Sequence, residues 1–354
     1  MNFQEETNEA IALLQQLIAI PSFSGEEQKV ADFLERFIEI KGYVASRFEN
    51  NIWIQSPGFD SARPTILLNS HIDTVKPVSG WTHTAFLPTI ENGKLFGLGS
   101  NDAGASVASL LQTFFYLTQK EQTYNLIFAA SAEEEISGKN GMESLIRELP
   151  NIDFAIVGEP TGMDLAIAEK GLMVIDCSVT GIAGHAARNE GENAIYKALD
   201  AIEWFKTYEF PKKTNLLGPV KMTVTQINAG TQHNVIPDKC NFVVDVRSNE
   251  MYSNPEIIDI IHSSVNCHAE ARSMRLSSTA TPPEHPVVKR ARELKRTLFG
   301  SPTLSDQALM PFPSVKIGPG DSARSHTADE YILLSEIENA IDLYVQLLDE
   351  LKLE

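Results

Sequence analysis

The chain has 354 residues, 43% hydrophobic and 21% charged, enough for a sizeable core in about two domains. This composition excludes collagen-like, low-complexity and wholly disordered chains. A formal net charge of −18 argues against a nucleic-acid or anionic-membrane partner.

Residues 1–10 carry only acidic charges where an export signal would carry Lys or Arg. The apolar residues 11–20 are interrupted by Gln15 and Gln16 and stopped by Pro21, too short a run to span a bilayer. Cys177, Cys240 and Cys267 lie far apart and form neither a disulfide framework nor a thiolate zinc site. A soluble, cytoplasmic protein is expected.

Ser24-Gly25-Glu26-Glu27 has capping-box spacing, and Val30, Phe33, Leu34, Phe37 and Ile38 come next at helical intervals up to Gly42. Strand-like runs cover residues 52–54, 65–68, 125–130 and 154–157, with a helix from 103 to about 119. Apolar strands alternating with helices predict an α/β fold with a mostly parallel sheet covered on both faces. From about residue 171 the order changes to strand 172–180, helix 193–208, strands 221–228 and 239–247, a helix opened by Asn254-Pro255, and strand 268–278. This β-α-β-β-α-β order is ferredoxin-like. A helix at 287–299, a strand at 314–317 and a last helix with the capping box Ser335 to Glu338 rejoin the first sheet. The expected organisation is a larger α/β domain of residues 1–170 and 280–354 carrying an inserted small domain, 171–279.

Acidic residues and histidines fall directly after predicted strands, where open α/β sheets bind ligands. His71 and Asp73 come after the 65–69 strand, and Asp102 opens a helix whose dipole favours a carboxylate. Glu133-Glu134-Glu135 come after the 125–130 strand, Glu159 after 154–157, and His326 after 314–317 and a glycine-rich turn. A lone His-x-Asp reads as a capped turn and a lone Glu run as a solvated helix start. Two imidazoles and at least three carboxylates gathered at one sheet edge suit a divalent metal, above all zinc, with cobalt and manganese as alternatives. One carboxylate more than the ligands require is left for proton transfer, which makes the pattern catalytic.

These segments resemble the co-catalytic zinc deacylase and peptidase family, which includes acetylornithine deacetylase, succinyl-diaminopimelate desuccinylase, aminoacylase and carboxypeptidase G. The matching stretches are Ser70-His71-Ile72-Asp73-Thr74-Val75, Gly97-Leu98-Gly99-Ser100-Asn101-Asp102, Ser131-Ala132-Glu133-Glu134-Glu135, Gly158-Glu159-Pro160-Thr161 and Ser325-His326-Thr327. The resemblance implies two Zn²⁺, one on His71, Asp102 and Glu159 and the other on Asp102, Glu135 and His326, with Asp102 bridging. It implies that Asp73 orients His71 and that Glu134 is the general base and acid. A shift of one residue in the Glu run would instead make Glu133 the base and Glu134 a ligand. Leu98 and Ala103-Gly104 depart from the family pattern at positions that are not ligands.

In the inserted domain, Gly181-Ile182-Ala183-Gly184-His185 resembles the family's Gly-x-x-Gly-His segment, which implies a homodimer in which His185 reaches the partner's active site. By the same resemblance Asn234 lies near the oxyanion and Arg247 binds a substrate carboxylate, a task suited to a guanidinium fork. The runs around Gly318-Pro319-Gly320-Asp321 and His326 to Tyr331 look most like acetylornithine deacetylases. The expected substrate is therefore an N-acyl amino acid, first N-acetylornithine or N-acetylcitrulline in arginine biosynthesis. Succinyl-diaminopimelate desuccinylase is the alternative, then a dipeptidase or carboxypeptidase. A desuccinylase needs a further cation, for which Arg188 and Arg324 are candidates. A catalytically silent ligand-binding relative is the reading from another class.

Overall fold

Thr65–His71 and Asn125–Ser131 are seven-residue strands buried at every position, which requires cover on both faces. In the computed structural model, which describes residues 3–188 and 190–353, that cover is present. On one face packs the helix Ala105–Leu117, apolar almost all round and therefore buried, in contact with the helices Gln4–Ile18 and Leu334–Leu348. On the other, Trp53, Leu67, Ile127, Ala129, Met142, Leu145, Ala155, Val157 and Met310 form a second core cluster.

The strand order across this sheet is Ser46–Phe48, Asn51–Gln55, Asn125–Ser131, Thr65–His71, Phe154–Val157, Ser314–Lys316 and Leu165–Glu169. The middle four run parallel. Asn51–Gln55 and Leu165–Glu169 join them antiparallel, so the sheet is mixed rather than mostly parallel. The parallel centre brings the carboxyl ends of four strands to one edge. Thr65–His71 is flanked on both sides by strands that come later in the chain, the arrangement that opens a crevice at a strand's end.

The chain divides into two compact units. One contains the residues up to Ile167, Ala280–Phe299 and those from Ser305 onward; the other is Ala168–Thr279 with Gly300–Leu304. In the second unit the antiparallel sheet order is Lys221–Ala229, Lys239–Ser248, Gly171–Thr180, His268–Ala271. Met173, Ile175, Cys177 and Val179 alternate inward along the Gly171–Thr180 strand. They share one core with Phe205 of the helix Ala194–Thr207 and with Ile257 and Ile261 of the helix Asn254–Ser264. Asn193 caps the first helix by accepting the Ile195 N–H, and Ser253 with Glu256 forms a full capping box at the second.

Several local expectations differ from the structure. Ser24 does not cap a helix; its hydroxyl donates to Asp73 at 2.7 Å. The 268–278 strand ends at Ala271, and the 287–299 helix is Pro286–Glu293, after which comes the strand Leu298–Ser301. At the last helix the N–H of Leu333 is held by Glu336, so the cap lies two residues before the expected Ser335–Glu338 box. Among the described residues no helix is long and apolar enough to cross a membrane.

Candidate metal centre and active site

His71 is the last residue of its strand and is buried. Its Nδ1 lies 2.9 Å from the Asp73 carbonyl and 3.5 Å from the Asp73 carboxylate. That partner fixes the tautomer and leaves Nε2 as the free lone pair. Nε2 faces Asp102 Oδ1 at 3.2 Å and Glu159 Oε1 at 3.8 Å.

Asp102 does not open the helix. It sits three residues before Ala105 in an irregular turn, Ser100–Gly104, with φ −125° and ψ 94°. The Asp102–Ala103 peptide bond is cis. Gly104 can have no side chain there, because a Cβ would lie 2.6 Å from the Gly99 carbonyl. The two oxygens of Asp102 face two imidazoles, His71 at 3.2 Å and His326 Nε2 at 3.7 Å. His326 has positive φ, +59°, on a loop, and its Nε2 lies 3.0 Å from Glu135.

Glu159 comes directly after Gly158, whose own N–H is fixed by the Asn69 carbonyl at 2.7 Å. Glu134 and Glu135 lie just beyond the Asn125–Ser131 strand and face the cluster, whereas Glu133 turns away and accepts from Asn140 N–H and Nδ2 at 3.0 and 2.9 Å. Two sets of three donors, His71–Glu134–Glu159 and His71–Asp102–Glu135, each have ligand atoms within 4.8 Å of one another.

The charges of this cluster conflict unless a cation is present. Burial, reinforced by Glu159, holds the Glu134 carboxyl well above its ordinary range. Burial, with Asp102 and Glu135 beside it, pushes Glu159 up to about 8. Burial would lower His71, yet the Asp102 and Asp73 carboxylates outweigh it and raise it well above 6.5. Four carboxylates and two imidazoles sharing one pocket are the oxygen-and-nitrogen donor set of a divalent transition metal, so the residues fit such an ion.

Three supporting carboxylates complete the site. Asp73 accepts the backbone N–H groups of both Glu134 and Glu135, at 3.0 and 3.1 Å. Glu330, buried, accepts those of Gly99, Asn101 and Asp102. Asp306, buried beneath two strand ends, accepts from Asn69 Nδ2 at 2.9 Å and Ser131 Oγ at 2.6 Å. The roles of Glu330 and Asp306 escape sequence reasoning, because a carboxylate that binds backbone or lies under a sheet has no spacing signature. Glu330 was visible only as part of the run after His326.

His185, Asn234 and Arg247 belong to the second unit. Gly184–His185 pairs with Val235–Ile236, and the Asn234 carbonyl accepts the Ala186 N–H at 3.0 Å, so His185 and Asn234 are neighbours. Arg247 forks onto Asp245 of its own strand at 2.9 and 3.2 Å. Arg324 is likewise bound two-pronged, by Glu336, at 2.7 and 3.1 Å. Arg188 is exposed.

The family model of peptidase family M20/M25/M40 matches residues 67–350, which takes in every residue of this cluster. The chain is 28% identical over 365 residues to succinyl-diaminopimelate desuccinylase of Corynebacterium glutamicum, covering 96% of each protein. It is 28% identical over 375 residues to acetylornithine deacetylase of Proteus mirabilis, again covering 96% of each. Its backbone matches the Bacillus subtilis YXEP protein, a dinuclear metal binding peptidase from the M20 family, with a TM-score of 0.73 at 17% identity over 98% of this chain and 100% of that one. The chain therefore belongs to peptidase family M20/M25/M40 and is a metal-dependent amide hydrolase.

Proposed function

We propose that the protein removes an N-acyl group from a diamino acid, using two divalent ions. The observation that carries this reading is the placement of Asp102 between His71 and His326, with Glu159 and Glu135 on the respective sides. His71, Asp102 and Glu159 would hold one ion, and Asp102, Glu135 and His326 the other. Zinc suits this donor set best, and cobalt or manganese could take its place.

Bound there, the ions would polarise the amide carbonyl and make a water acidic near neutral pH. Glu134 takes the proton of that water as oxygen bonds to the carbonyl carbon. It returns the proton to the nitrogen as the C–N bond breaks, and the second proton of the water passes to the amine, leaving a carboxylate and an ammonium group. Asp73 keeps Glu134 in place and holds His71 in the tautomer that presents Nε2.

The second unit is proposed to be a ferredoxin-like lid and dimerisation domain. In a homodimer His185 would act on the scissile carbonyl at the partner's active site, with Asn234 beside the oxyanion and Arg247 binding the substrate carboxylate.

For the substrate, the relatives favour N-succinyl-diaminopimelate over the N-acetylornithine or N-acetylcitrulline first expected. Among similar relatives, desuccinylase names outnumber acetylornithine deacetylase. Arg188, exposed, and Arg324, paired with Glu336, are the candidates for the succinyl carboxylate. Amine release from N-succinyl-L,L-diaminopimelate, N-acetyl-L-ornithine and N-acetyl-L-citrulline tests this. Chelator-sensitive turnover of the succinylated compound is expected. Turnover of the acetylated compounds alone would restore the arginine-pathway reading.

A further inference from the structure

Glu330 lies four residues beyond His326, yet its side chain serves the loop of Asp102. Its Oε2 accepts the Gly99 N–H at 3.0 Å, and its Oε1 accepts the N–H groups of Asn101 at 2.8 Å and Asp102 at 3.0 Å. Its own carbonyl accepts the Gly97 N–H at 3.0 Å. The residue is 2% exposed, so these contacts are made out of water, where each lost partner is costly.

A second set of contacts joins the same two loops. Asn101, fully buried, accepts the Asp321 N–H at 3.0 Å through Oδ1. Through Nδ2 it donates to the Asp321 carbonyl at 3.1 Å and to Ser325 Oγ at 3.2 Å. Ser325 in turn lies beside the Asp102 carboxylate and favours its charged form. Gly320 makes this approach possible: a Cβ there would lie 2.3 Å from Asn101 Oδ1.

We infer that Glu330, Asn101 and Ser325 form a positioning clamp that locks the Asp102 turn to the His326 loop and thereby sets the affinity for the second ion. The inference rests on the proposal of two ions. The two ions should depend on the clamp unequally. Both share Asp102, but the first also draws on His71 and Glu159, which end or closely succeed buried strands. The second draws on His326, which is on a loop with its side chain 53% exposed and has this clamp to hold it over Asp102. Glu330→Gln replaces two acceptor oxygens by one and aims an amide donor at backbone N–H groups, so at least one of the three contacts is lost.

The test is Co²⁺ titration of the metal-stripped protein, monitored by calorimetry and visible absorption, on wild type, Glu330→Gln, Asn101→Asp and Ser325→Ala. Wild type should take up two ions. Glu330→Gln should weaken the first ion by no more than a few-fold, through the shared Asp102, and the second about 10–100-fold. Its kcat should fall with KM little changed once one ion is bound. Ser325→Ala, which leaves the backbone contacts intact, should weaken the second ion in the same direction by less, and it carries the test if Glu330→Gln does not fold. Equal weakening of both ions, or second-ion binding unchanged in Glu330→Gln and Ser325→Ala, would overturn the clamp while leaving the two-ion proposal intact. Wild-type protein that binds fewer than two ions would overturn both.

Discussion

Asp73 holds the backbone of Glu134: its Oδ1 accepts the Glu134 N–H at 3.0 Å while its Oδ2 takes the Glu135 N–H at 3.1 Å and the Ser24 hydroxyl at 2.7 Å. One residue thus orients His71 through its carbonyl and, through its carboxylate, sets the start of the segment that carries both the proposed base and a proposed ligand. Asp73→Asn keeps one acceptor oxygen and turns an amide donor toward an N–H, so one of these backbone anchors must go. We expect kcat to fall about 10–100-fold with KM nearly unchanged, because positioning rather than binding is lost. Steady-state kinetics with metal content measured alongside checks this, and a rise in KM at constant kcat would contradict it.

Glu134 is the carboxylate the ion assignment leaves over. Glu134→Gln preserves shape but cannot carry a proton, so turnover should drop by about 10²–10⁴-fold with both ions retained. Glu133→Gln should leave turnover within a few-fold, since Glu133 spends its carboxylate on Asn140. The reverse ranking of the two variants would shift the register of the Glu run by one.

The central strands were legible because runs such as Thr65–His71 and Asn125–Ser131 are apolar enough for burial on both faces, and parallel strands deliver their C-terminal flanking residues to one edge. That is why His71, Glu134, Glu135 and Glu159 could be grouped from the sequence alone. The antiparallel additions at Asn51–Gln55 and Leu165–Glu169 were not legible, because strand direction is not written in hydrophobic pattern. Ser24 and Glu27 have the spacing of a cap, but tertiary structure uses the Ser24 hydroxyl on Asp73 instead. Arg324 looks available in sequence, yet Glu336, twelve residues on, binds it.

Asp306 is a buried carboxyl that accepts from Ser131 Oγ and Asn69 Nδ2. Burial, opposed by hydrogen bonds from Ser131 and Asn69, pushes it from 3.8 to about 6. A group with its folded pKa raised in this way holds its proton more tightly in the folded protein. Its contribution to stability is therefore full below about pH 4 and is lost as pH rises through about 6. The stability of wild type relative to Asp306→Asn should decline between those limits and then level off. Urea unfolding of both metal-stripped proteins across this range measures the difference, and a difference that grows with pH would mean that the buried group is stabilised as a carboxylate.

The neighbouring placement of His185 and Asn234, on the Gly184–His185 and Val235–Ile236 ladder, gives the second unit a compact polar corner whose proposed substrate belongs to another subunit. That makes a specific demand on mixtures of inactive variants. Glu134→Gln and His185→Ala should each be nearly inactive. In a dimer of one of each, the subunit with an intact Glu134 receives an intact His185 from its partner, so one of its two sites is whole. Random reassortment makes half the dimers mixed, and the mixture should recover about a quarter of wild-type activity. If His185 serves its own subunit, no mixed dimer contains a whole site and the mixture stays inactive. Reassortment of separately purified variants, with the mixed species verified by native mass spectrometry before activity is read, decides between the two.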